Sequence, residues 1–107
     1  MTQFWLDTLA EFIADFRLET LKPATIEQTS YVILDTVGAI VGGAAEPEMQ
    51  ALTDRLTVSP VGEASVMGTG RTAVSAAAAF LNGTAGTFLE MDEGNRFAKG
   101  HPSIHAL

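Results

Sequence analysis

The feature that most restricts this chain is the segment from Tyr31 to Ala45, which is apolar on nearly every side and is interrupted only by Asp35, Thr36 and three glycines. Ile26, Ile33, Val37 and Ile40 recur at helical spacing, and Val32, Leu34 and Val41 extend the apolar surface around the helix. A helix apolar all round belongs inside a larger helical body. The run is too short and too interrupted for a membrane span, which needs about 20 apolar residues. Pro23 suits the first turn, where its missing N–H costs nothing. Gly38 and Gly42, four apart, predict a second helix crossing closely there, and Gly42-Gly43 is a natural stop. Asp35 inside this run reads as a buried carboxylate held by hydrogen bonds for packing, in preference to a catalytic role.

The remaining segments are arranged around that helix. Trp5, Leu9, Phe12, Ile13 and Phe16 make one face of an amphipathic first helix opened by Thr2 or Gln3, with Asp7, Glu11 and Asp15 on the solvated side. Leu18 to Lys22 is a connector. A third helix is predicted over Glu46 to Leu56, with Pro47 in its first turn. Ser59-Pro60-Val61-Gly62 is turn chemistry, Ala64 to Met67 a short extended piece, and Gly68 to Gly70 another turn. A fourth helix is expected from an N-cap at Thr72 through the alanines 76–79. Asn82-Gly83 is expected to interrupt it, with a further helical run through Phe88, Leu89 and Met91. Asp92 to Gly100 reads as a loop, and Pro102 as the start of a fifth helix that ends at Leu107 after about one turn, too little to be stable alone. The expected fold class is all-α: residues 1–107 as the N-terminal part of a helical-bundle-like large domain, with four helices and a truncated fifth.

Composition narrows the function classes. Thirteen acidic residues against six basic ones give a net charge of −7, which disfavours nucleic acid and anionic membranes as partners. With no cysteine there is no disulfide framework and no thiolate metal site. The N-terminus has no basic n-region, so it does not read as a signal peptide, and a cytoplasmic protein is expected.

Ionisable groups crowd into Glu90 to His105, which holds three carboxylates, two cations and both histidines of the chain. A bland reading is a solvated acidic helix end and a polar linker; a loop on a helical scaffold is also where functional groups gather. An EF-hand fails, because a loop begun at Glu90 has Gly94 fifth and His101 twelfth. His101 and His105 are spaced for zinc, but Pro102 lies between them and no third ligand has a recognisable spacing. There is no cysteine nucleophile and no serine in a nucleophile elbow. Proton transfer by a histidine and a carboxylate remains. If Pro102 opens a helix, the Ser103 amide faces outward and suits a substrate carboxylate. Arg96 and Lys99 would add positive charge, although Lys99 alone reads as an ordinary surface cation.

Three blocks resemble the MmgE/PrpD family, whose members include 2-methylcitrate dehydratase and cis-aconitate decarboxylase. Ile33-Leu-Asp-Thr-Val-Gly38 running into Gly42-Gly43 is similar to the family's "ilDtlG…aG" helix. Ala76 to Gly83, ending Phe80-Leu-Asn-Gly, is similar to "AaflNG". Leu89-Glu-Met-Asp-Glu followed by His101-Pro-Ser is similar to "ldfDD…HPs". The resemblance implies a helical large domain with a smaller α+β domain further along the full chain. It also implies cofactor-free lyase or isomerase chemistry on small di- or tricarboxylic acids, and a homodimeric full-length protein. Glu90 falls where the family has a catalytic aspartate, Asp92 and Glu93 on its acidic pair, and His101 on its first active-site histidine. The implied site is therefore His101, Glu90 and Asp92 as catalytic groups, with Glu93, Arg96, Lys99 and Ser103 binding substrate and no metal. Glu90 is one methylene longer than the family's aspartate, Gly94 stands where a threonine contacts substrate, and the loop before His101 is one residue longer than in the decarboxylase. The family's remaining catalytic groups would follow Leu107, so the isolated chain is expected to be inactive. Two alternatives stand beside this: a catalytically silent helical association module or truncated product, and a divalent-metal module built from Asp92, His101 and His105.

Overall fold

The computed structural model describes residues 4–58, 62–97 and 99–106. The expected start at Thr2 or Gln3 and most of the Ser59-Pro60-Val61-Gly62 turn lie outside them. Among the described residues four α-helices form: α1 (Trp5–Asp15), α2 (Pro23–Ala44), α3 (Pro47–Leu56) and α4 (Ser75–Phe88). Two short strands, β1 (Ala64–Val66) and β2 (Arg71–Ala73), pair antiparallel with Ala64 opposite Ala73 and Val66 opposite Arg71. The molecule is thus mostly α, as its pattern predicts. No described helix is long and apolar enough to cross a membrane.

The core lies where the second half of α2 crosses α4. Ile40 and Leu81 are its most enclosed apolar side chains, joined by Met49 of α3, Val66 and Ala73 of the hairpin, Ala78, Ala85 and Ile104. Burying each of the two larger side chains is worth about 1.5–3 kcal/mol. The crossing is not at Gly38, around which space is open. A Cβ on Gly43 would collide with the Ala85 backbone, so Gly43 is the residue that lets the two helices meet. Gly42 touches only the Leu89 side chain at ordinary distance, 3.5 Å from where its Cβ would be.

Three further expectations are corrected. Asp35 is exposed rather than buried; the enclosed polar group of α2 is its neighbour Thr36. Thr72 lies in β2, and α4 begins at Ser75 behind Val74. The two-strand pairing explains the shift: Gly68 and Gly70 have φ of +76° and +68°, which turns the chain back on itself before the helix can start. Asn82-Gly83 does not interrupt α4, because the Asn82 side chain is used across the core. Its Oδ1 accepts from the Met67 amide at 2.9 Å and its Nδ2 donates to the Ser65 carbonyl at 3.1 Å, tying the helix to the hairpin.

The apolar stripe on α1 forms as predicted, yet none of its residues is buried. Trp5, Phe12 and Ile13 are each more than 60% exposed. The first half of α2 is likewise open, with Ile26 and Ile33 exposed.

Candidate functional site

The acidic segment and the histidine segment meet at the far end of α4. The helix closes at Phe88, and Glu90 then takes φ of 51°, a left-handed conformation that costs a residue with a Cβ about 1 kcal/mol. The chain runs through Asp92 and Glu93 into a loop where Asn95 and Gly100 are bridged. Lys99, inside that turn, is also left-handed, with φ of 52°. The chain then returns through His101 and Pro102 to a 3-10 turn, Ser103–His105, where a fifth helix was expected to start.

This return path brings two pairs together. His101 Nδ1 lies 3.0 Å from Asp92 Oδ2; the aspartate side chain is 6% exposed and the imidazole 56%. The carboxylate is therefore enclosed and the ring projects outward from it. One position after Asp92 and two after His101, Glu93 Oε1 accepts from the Ser103 amide at 2.8 Å and from its hydroxyl at 2.7 Å. The amide expected to face a substrate carboxylate is thus already occupied by a carboxylate of the chain itself.

Arg96, Lys99 and His101 line a cleft of about 470 Å³ with Gly94, Asn95 and Gly100. Glu90 is exposed and does not line that cleft. Among the described residues no three His, Asp or Glu side chains converge as a metal-binding set, so Asp92, His101 and His105 do not form the triad of the metal alternative.

Thr36 was missed by sequence reasoning, although its hydroxyl inside an apolar helix was a signal. It is fully buried. Its Oγ1 sits 2.9 Å from both the Val32 carbonyl and Ser103 Oγ, so the turn after His101 is tied to the middle of α2.

The two Ser103 donors hold the Glu93 carboxyl below its ordinary value of 4.5, with a smaller contribution from His101. A depressed carboxylate stabilises the fold above the unfolded pKa and loses that contribution as pH falls through the folded one. Acid unfolding of Glu93→Gln followed by circular dichroism should therefore show a shallower loss of stability below pH 4.5 than the parent chain. Identical acid profiles would show that this carboxylate carries no such linkage.

A family model described as MmgE/PrpD N-terminal domain matches residues 7–107. No curated protein and no solved structure matches the chain.

Proposed function

The chain belongs to the MmgE/PrpD family, and from that premise we propose that it supplies one wall of the active site of a cytoplasmic, cofactor-independent lyase or isomerase acting on small di- or tricarboxylic acids. The observation that carries the reading is the 3.0 Å contact between enclosed Asp92 and outward-facing His101 at the edge of a cationic cleft. A carboxylate on Nδ1 fixes the ring's orientation and leaves Nε2 free to take or give a proton. In this reading Nε2 removes or returns a proton beside a substrate carboxylate. Arg96 and Lys99 meet the substrate's negative groups and the charge that grows on them during reaction. Glu90 enters as a second catalytic group by its place in the family motif, at the end of α4 beside the same segment.

Citrate is a suitable probe for the carboxylate-binding half of this reading. Titrated into labelled chain at millimolar concentration, it should shift the amides of residues 94–101 and leave the α2–α4 core unmoved, and Arg96→Gln should weaken the effect several-fold. Shifts spread over all exposed lysines and arginines, or none, would remove the cleft as a substrate site.

A second reading, the association module, is favoured by α1. The chain exposes 8086 Å². A compact monomer of 11.3 kDa exposes about 5,700 Å². The excess is larger than a standard interface of roughly 1,600 Å² in total. The uncovered aromatic stripe of α1 would fit a second copy of the chain, in line with a homodimer. Sedimentation should show self-association that Phe12→Glu abolishes; a stable monomer with α1 intact would count against it.

A further inference from the structure

We infer that Thr36, Ser103 and Glu93 form a latch that sets the position of His101 against Asp92, and that Glu93 and Ser103 are positioning residues instead of substrate ligands. Only the consequence for catalysis rests on the proposed role of His101; the latch itself is a statement about geometry.

The loop from Asp92 to Ser103 is closed by three rungs. Asp92 meets His101, Glu93 takes both donors of Ser103, and the Asn95 amide donates to the Gly100 carbonyl at 2.8 Å. The second rung is the strongest by chemistry, since one carboxylate oxygen receives two charge-assisted hydrogen bonds of 2.7–2.8 Å. It lies directly beside the His101 rung, one residue away on the acidic strand of the loop and two on the other.

Thr36 ties this rung to a rigid element. Its hydroxyl is buried mid-helix, its one proton is shared between the Val32 carbonyl and Ser103 Oγ, each at 2.9 Å, and the second contact links it to a position 67 residues later. Ser103 Oγ is thus the node: it donates to Glu93 and accepts from Thr36. The Thr36 contact resists sliding of the turn along α2, and the Glu93 contact holds the two sides of the loop together at the same atom.

Ile104 is the competing anchor. It is buried next to Ser103, and a Cβ on Gly86 would press on it. If Ile104 alone holds the turn, the hydroxyl network is incidental. Ser103→Ala separates the two, because it deletes both side-chain links and leaves Ile104 in place.

The expected result for Ser103→Ala is loss of the nuclear Overhauser contacts between the His101 ring and the Asp92 β-protons. Amide exchange in α2 and α4 should stay close to that of the parent chain. Thr36→Val should act in the same direction, and Thr36→Ser should restore the contacts. In a turnover assay of the intact enzyme, Ser103→Ala should lower kcat about 10-fold with little change in KM, since displacement of a reacting group by an ångström is enough for such losses. Undiminished contacts in Ser103→Ala would overturn the latch and leave Ile104 as the anchor. Should Thr36→Val fail to fold, the Ser103→Ala result decides alone. Lost contacts together with full turnover in His101→Gln would keep the latch and dismiss the proton-transfer reading, so the two ideas fail separately.

Discussion

Alanine at Gly43 is expected to cost this chain about 3 kcal/mol or more, while alanine at Gly38, on the same helix, is expected to raise stability by about 0.5–1 kcal/mol. A methyl on Gly43 would overlap the carbonyl of Ala85 in α4. Backbone cannot rotate out of the way as a side chain can, so the two helices would have to separate. Separation opens the contact around Ile40 and Leu81, the best-enclosed apolar side chains in the molecule. A single small domain holds only about 5–15 kcal/mol in total, so the loss is a large fraction. At Gly38 nothing lies within 4 Å of the added carbon, and only the gain in helix propensity is left. Gly86 falls between the two, because its added methyl would meet the end of Ile104, which can shift. Urea unfolding of the two alanine variants measures the difference. Equal midpoints for Gly43→Ala and Gly38→Ala would mean that α2 and α4 do not cross as described.

These glycines show what the sequence can and cannot disclose. The apolar run, the prolines at 23 and 47 and the alanines at 76–79 act locally, through φ, missing donors and helix propensity, and each placed a helix to within a few residues. Which glycine faces a neighbouring helix depends on rotation and crossing position, which no local rule supplies. Asn82 fails for the same reason: as a dipeptide with Gly83 it signals a turn, yet two partners on the hairpin hold it inside a helix. Thr72 resembles a cap until Val66 and Arg71 pair ahead of it. Asp35 and Thr36 point about 100° apart around the helix, and the orientation of α2 against α4 decides which of them faces the core. The meeting of His101 with Asp92 depends on how the loop between them closes, which no local rule supplies. Occupation of the Ser103 amide by Glu93 could not be read, because it needs the loop already closed.

His101→Gln should lower turnover of a small polycarboxylate by 10²–10⁴-fold, the range typical for loss of a general acid or base. Glutamine suits the test because its amide can still donate to Asp92, so the enclosed carboxylate keeps a partner, but it cannot carry a proton between neutral states. The imidazole is more than half exposed, so the change should leave thermal stability nearly untouched. The comparison belongs in the intact enzyme, since under the proposed reading these residues supply one wall of the cleft. An effect confined to kcat would identify His101 with the chemical step, whereas a rise in KM alone would make it a binding group for substrate charge. Undiminished turnover would remove His101 from the mechanism and with it the reason for linking the cationic cleft to catalysis. Asp92→Asn provides the complementary case. It keeps the shape and takes away the charge that orients Nδ1, so turnover should fall by less than in His101→Gln, and the ordering of those two losses tests whether the aspartate acts through the histidine or on the substrate itself.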